Sequence, residues 1–203
     1  MNLASEPLRR RRGAELEDAL LAATWDELLD TGYAALTIDA VAQRAGTSRP
    51  VIYRRWPTKA ELVRAAVDHR MLRDRPVPPD TGALRSDLIE LMHFANQHRA
   101  GFTVLLAYYL GPYFQETGTS PADLRESAFQ HRATATDLIL DRAAARGELD
   151  PARLTPRIRS LPFDLYRHEA LMTLKPVPDD VIEAIVDDIF LPLVQPIERE
   201  GSR

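Results

Sequence analysis

The sequence contains no cysteine. That excludes disulfides, thiolate metal centres and cysteine nucleophiles, and it is compatible with a reducing compartment. Lysine is nearly absent too: Lys59 and Lys175 are the whole complement among 26 basic residues. No apolar run is long enough to span a membrane. The longest uncharged stretch, residues 100–115, contains Gly111 and Pro112 and falls short of the roughly 18–20 apolar residues a span needs, so it reads as a buried core helix. The run Arg9-Arg10-Arg11-Arg12 is followed by Glu15, Glu17 and Asp18, where a secretory signal would require an apolar segment. The expected location is therefore the cytoplasm. The five histidines, His69, His93, His98, His131 and His168, form no His-Glu-x-x-His pair or other compact metal spacing. A glycine-rich phosphate loop and a nucleophile elbow are also missing. The adjacent His168 and Glu169 point in different helix directions. A hydrolase or transferase thus has no constellation to work with, and the reading is of a non-enzyme without catalytic residues, metal or cofactor.

What the chain does have is a composition suited to a folded core, with 45% hydrophobic and 28% charged residues in 203. Its net charge of −4 opposes uniform attraction to nucleic acid, but the charge is unevenly spread. Residues 38–59 carry Arg44, Arg49, Arg54, Arg55 and Lys59 against Asp39 alone, a local basic patch able to meet phosphates.

Apolar periodicity is helical throughout, and no period-two pattern is long enough for a sheet. Residues 1–12 read as a flexible basic arm. Leu16, Leu20, Ala23, Trp25, Leu28 and Leu29 predict a first helix over 13–30, with acidic residues in its first turn and Gly32 as a left-handed cap. Thr37 caps a short helix over 38–45 that ends at Gly46. Ser48 and Pro50 open a third, of barely two turns, ending near Arg55. Pro57 breaks it, and Thr58 caps a fourth running from Lys59 to about Leu72. Three prolines within residues 75–79 mark a domain boundary. Beyond it, five helices are expected at 81–99, 101–115, 121–147, 155–175 and 178–195. The predicted organisation is all-α: a flexible arm (1–12), a helix-turn-helix domain with connector helix (13–72), and a larger helical domain (80–203).

Two short helices joined by a glycine-containing turn, packed on an amphipathic helix, make the helix-turn-helix pattern. The stretch from Leu36 to Leu62, with its Thr37 cap, Ala45-Gly46 turn, Ile52-Tyr53 pair, Trp56 and Lys59-Ala60-Glu61-Leu62, closely resembles the DNA-binding signature of the tetracycline-repressor (TetR) family. The resemblance implies a transcriptional regulator, most often a repressor, that binds palindromic operator DNA as a homodimer and is released by a small-molecule effector. Residue chemistry stands beside it. Arg49, at the start of the short third helix, can donate two hydrogen bonds to a guanine, and Pro50 and Val51 offer apolar contact to a thymine methyl. Tyr53 matches the family tyrosine that contacts phosphate or base, and Lys59 the family lysine that binds phosphate, aided by its helix N-terminus. Thr37 can bond a phosphate as well as cap its helix. Of Arg54 and Arg55, one is expected to face the DNA and the other to pair with an acidic residue of the first helix. Arg44 is either a contact or a solvated charge. Asp39 either serves its helix terminus or disfavours certain sequences.

In the larger domain, Ile158, Leu161 and Leu165 with Ile182, Ile185, Ile189 and Leu193 form apolar stripes broader than one packing partner needs. They make either an ordinary core or, as the resemblance implies, an intermolecular four-helix bundle. Met92, Phe102, Leu106, Tyr109, Tyr113, Phe129 and His131 are the candidate lining of a pocket for a small hydrophobic or aromatic effector. The same stripe is also what a plain core looks like, and a satisfied buried histidine would serve for His131. A regulator controlled by a protein partner, with no small effector, is the competing reading.

Overall fold

Several helix starts in this chain are marked by capping threonines: Thr37, Thr58, Thr134 and Thr155. The computed structural model describes the backbone of residues 13–104, 109–129 and 133–196, and their side chains except at 98–104 and 128–129. The arm at 1–12 lies outside the described residues, as do Leu106, His131 and the side chains of Phe102 and Phe129. Among the described residues there is no strand.

Helix α1 spans Ala14–Ala35. Helix α2, Ile38–Arg44, begins at Thr37, whose hydroxyl accepts from the Ala40 N–H at 3.2 Å. Helix α3, Arg49–Tyr53, begins after Ser48 with Pro50 in its first turn. Helix α4, Lys59–Arg73, carries a full capping box: Glu61 N–H donates to the Thr58 hydroxyl, and Thr58 N–H donates to the Glu61 carboxylate. Helix α1 overruns its predicted end. Gly32 sits at φ 75, ψ 166, so it kinks the helix instead of closing it in the left-handed cap expected.

The larger domain departs further from expectation. Helix α5 runs Leu84–Val104, straight through Gly101, because one interior glycine costs only about 1 kcal/mol in a long helix. The helix expected at 101–115 is therefore not a separate element: its first residues belong to α5, and α6 is Gly111–Thr117, ending on left-handed Gly118. The predicted 121–147 helix is two, α7 (Pro121–Phe129) and α8 (Ala135–Arg146). The break follows from a second capping box, Thr134 with Asp137, which starts a new helix where apolar spacing alone reads as continuous. Helix α9, Pro156–Thr173, is capped by Thr155 and closed by left-handed Leu174. The last predicted helix is α10 (Asp179–Ala184), a π-helical segment (Ile185–Phe190) and α11 (Leu191–Val194) in succession. Ile182, Val186, Phe190 and Val194 are all fully buried. At 3.6 residues per turn, each four-residue step rotates about 40° past a full turn; the wider π turns keep these four on one face.

Two apolar cores result. The first joins α1–α4 through Leu20, Leu28, Ile52, Leu62, Val63 and Val67, and it also recruits Leu110, Tyr113 and Leu124. Thus α6 and α7, beyond the proline-rich boundary in sequence, pack with the helix-turn-helix in space. The second core joins α5, α8, α9 and the last helices around Leu88, Met92, Ile139, Leu140 and Phe190. Arg85 grips Asp187 with two hydrogen bonds of 2.7 Å, tying α5 to the π segment.

Asn96 fastens the turn between α9 and α10. Its amide donates to the Val177 carbonyl at 2.8 Å, and its oxygen accepts from Val177 N–H at 3.0 Å and the Tyr166 hydroxyl at 2.8 Å. Val177 is buried, so water cannot replace these bonds. Asn96→Ala is expected to cost about 2 kcal/mol, read as a lower denaturant midpoint; an unchanged midpoint would remove Asn96 from this role.

Candidate nucleic-acid interface

Burial sorts the third helix into two faces. Ile52 is completely buried, and Val51 and Trp56 pack against the first core. Arg49, Pro50, Tyr53 and Arg54 are all exposed, at positions i, i+1, i+4 and i+5, so they share one side of the helix. An aromatic ring left 47% exposed beside two arginines is what a surface that meets nucleic acid needs: cations for phosphate or guanine, and a flat apolar body with a polar tip.

Of the two remaining arginines, the pairing with an acidic residue of the first helix falls to Arg55. Arg54 has no ion pair among the described residues, whereas Arg55 turns back to α1, with Nε 3.9 Å from Glu17. Arg44 is more than a solvated charge. Its Nη2 lies 2.7 Å from Asp30 and 2.9 Å from Glu27, stapling α2 to α1, and the hydrogen bond to Asp30 holds its guanidinium still more firmly protonated. Arg49 has a partner that its spacing in the sequence does not announce. Its Nη1 donates to Asp39 Oδ2 at 3.2 Å, and its Nε is 3.0 Å from the other carboxylate oxygen.

Lys59 stands at the N-terminus of α4, half-buried. Its ammonium donates to the Tyr33 carbonyl at 3.0 Å and lies 4.2 Å from the centre of the Tyr33 ring. An ammonium has three donors, so one hydrogen bond fixes the direction of the group and leaves two for a phosphate. Tyr33 in turn meets Tyr113 of α6 edge-on, ring centres 5.3 Å apart. Burial pushes the hydroxyls of both tyrosines above their ordinary range. Nothing in the local sequence of Tyr33 marks it as part of this site; its role arises from packing with a residue 26 positions away.

Another side of α4 meets α7. Arg64 donates to Ser127 Oγ through Nε and Nη2 at 3.3 and 2.8 Å, and Ser127 donates to Asp68 at 3.1 Å. Burial pushes the Asp68 carboxyl up, against the opposing effects of Ser127 and Arg64.

The candidate pocket residues are divided between the cores. Met92 is fully buried in the second, while Tyr109 and Tyr113 belong to the first. Of the candidate interface residues, Ile182 and Ile185 are packed inside the protomer, and Ile158, Leu161 and Leu165 are half-buried. Ile189 and Leu193 are exposed, as are Leu171 and Met172 of α9, which the same apolar spacing places in that helix's stripe. Among the described residues no group of acidic or histidine side chains is placed to hold a metal, and no helix is long and apolar enough to cross a membrane.

Comparison with known proteins agrees with this architecture. Residues 20–66 match the family described as bacterial regulatory proteins, tetR family, and residues 78–189 match the tetracyclin repressor-like C-terminal domain. An uncharacterized HTH-type transcriptional regulator of Mycobacterium tuberculosis is 34% identical over 197 residues, covering 94% of this chain and 93% of that one. A DNA-binding transcriptional repressor TetR of Mycobacteroides abscessus is 32% identical over 189 residues, covering 93% and 98%. The crystal structure of a tetR-family transcriptional regulator from Streptomyces coelicolor superposes with a TM-score of 0.62 at 26% identity, over 90% of this chain and 82% of that one. With a helix-turn-helix whose exposed face is basic and aromatic, and with relatives that are regulators and not enzymes, the chain belongs to the TetR family of DNA-binding transcriptional regulators.

Proposed function

We propose that the protein is a cytoplasmic repressor that binds palindromic operator DNA as a homodimer and is released by a small hydrophobic or aromatic effector. The observation that carries the DNA reading is the exposed set Arg49, Pro50, Tyr53 and Arg54 on one face of α3, within a basic window of an acidic chain. Arg49 and Pro50 face base edges; Tyr53 and Arg54 serve bases or phosphates; Lys59 and the Thr37 hydroxyl grip the backbone. Val51 and Arg55 act from behind, one in the core and one on Glu17. The Mycobacteroides abscessus relative is a transcriptional repressor, which supports repression here. Ile189, Leu193, Leu171 and Met172, apolar and exposed on the terminal helices, support the dimer. The effector reading rests on the C-terminal domain type and on the apolar, aromatic stretch 100–115.

Selection of bound duplexes from a random pool tests the whole: a palindromic product is expected. On that operator, Arg49→Ala is expected to cost about 1–3 kcal/mol and to relax preference at one base pair. Lys59→Ala is expected to weaken all sequences alike and to flatten the salt dependence by about one phosphate contact. Gel shifts of both variants that match wild type would sink the site assignment. An effector must bind the DNA-incompetent state more tightly, or it shifts nothing. A ligand that saturates the protein yet leaves operator affinity unchanged is not that effector, and failure of a broad panel to raise the melting temperature would favour control by a protein partner.

A further inference from the structure

We propose that Asp39 is a positioning residue for sequence discrimination: it aims the Arg49 guanidinium from α2 and so sharpens the base preference that Arg49 imposes. This rests on the reading of Arg49 as a base-contacting residue. The pair joins the two helices of the motif on their solvent side, with the Arg49 and Asp39 side chains 59% and 70% exposed. The other arginines of the basic window that find carboxylates do so inward. Arg44 staples α2 to α1 through Glu27 and Asp30, and Arg55 reaches α1 at Glu17. The Arg49–Asp39 contact fastens no element to the body of the protein. Exposed pairs add little to stability, and complementing the N-terminus of α2 would require a carboxylate but no arginine.

What the pair does is orient a long side chain that must meet a base edge. One hydrogen bond to Asp39 leaves most of the five guanidinium donors available. An arginine already held loses less freedom on binding, and it is held in one direction, so a displaced acceptor is reached less well. The carboxylate adds a second effect. It repels phosphates, which weakens binding to any duplex. Asp39 thus lowers affinity for DNA in general while raising the ratio of correct to incorrect sequence.

The test uses the full-length protein, the selected operator, a set of its single-base-pair substitutions and a random-sequence duplex. Asp39→Asn is expected to bind the random duplex several-fold more tightly. The operator-to-substituted ratio at the base pair read by Arg49 should fall about three- to fivefold, the size an exposed ion pair supports. In an Arg49→Ala background the same substitution should leave that ratio unchanged, an outcome a merely structural or purely electrostatic Asp39 would not produce. Thermal melting checks the fold, with Asp39→Ser as a second variant. The proposal is overturned if Asp39→Asn tightens all duplexes equally, or if it changes the ratio as much without Arg49 as with it. If Arg49→Ala alone preserves every base preference, the reading of Arg49 fails and the proposal falls with it; Arg49→Ala that relaxes the preference while Asp39→Asn does not refutes Asp39 alone.

Discussion

Gly32→Ala is expected to lower stability by about 2–4 kcal/mol and the melting temperature by roughly 5–15 °C. Two separate costs combine. At φ 75, ψ 166 the backbone occupies a region that is nearly glycine-only, so any side chain is strained there. A Cβ would also stand 2.9 Å from Cδ1 of the Tyr109 ring, inside any real contact distance, and the ring packs against the first core and cannot simply swing to solvent. Gly46 provides the control, because at φ 65 it has open space for at least 4 Å around the position a Cβ would take. Gly46→Ala carries only a conformational cost of about 1–2 kcal/mol and should be the milder of the two variants. Gly32→Ala should also weaken operator binding beyond its effect on folding. The kink sets the position of Tyr33, whose carbonyl and ring hold Lys59. A Gly32→Ala protein that melts within a degree or two of wild type would refute this account.

The expected role of Gly32 shows where sequence reading succeeds and where it stops. A glycine after a run of helix formers reads as a terminal cap, because the local pattern cannot reveal that the helix resumes or that a tyrosine 77 positions later presses against it. The starts of α2, α3 and α4 are legible to within a residue, since Thr37, Ser48-Pro50 and Thr58-x-x-Glu61 supply local signals that need no tertiary partner. Thr134-x-x-Asp137 carries the same signal but is outweighed by apolar spacing that runs across it. The division between Arg54 and Arg55 follows from helical geometry. The pairing of Asp39 with Arg49, and of Arg44 with Glu27 and Asp30, depends on how the turns orient α2 against α1 and α3, which no spacing rule conveys. The π segment is likewise a packing result: it reconciles a sustained four-residue apolar repeat with a single buried face.

Ile189→Glu combined with Leu193→Glu is expected to convert the protein to a monomer and to lower affinity for the full palindrome by about 10²–10⁴-fold, while leaving the protomer folded. The fold should survive because these side chains are 40% and 38% exposed within the protomer, so a carboxylate at either site remains in water when the protein is monomeric. The inward stripe of Ile182, Val186, Phe190 and Val194, all fully buried, is untouched. Dimerisation should not survive, because two carboxylates per protomer would have to be desolvated and brought against their symmetry mates across a two-fold axis. Affinity for one half-site should stay near that of a wild-type protomer, since α3 is unaltered and only the second, effectively intramolecular, binding event is lost. Leu138→Glu supplies the control. Leu138 is also 38% exposed, but it lies on α8, which carries none of the candidate interface residues, and its substitution should change neither oligomeric state nor affinity. Sedimentation and operator titration separate the outcomes. A variant that remains dimeric with full affinity places the two-fold axis elsewhere, whereas a monomer that still binds the palindrome as tightly as wild type would show that paired half-site reading contributes nothing to recognition.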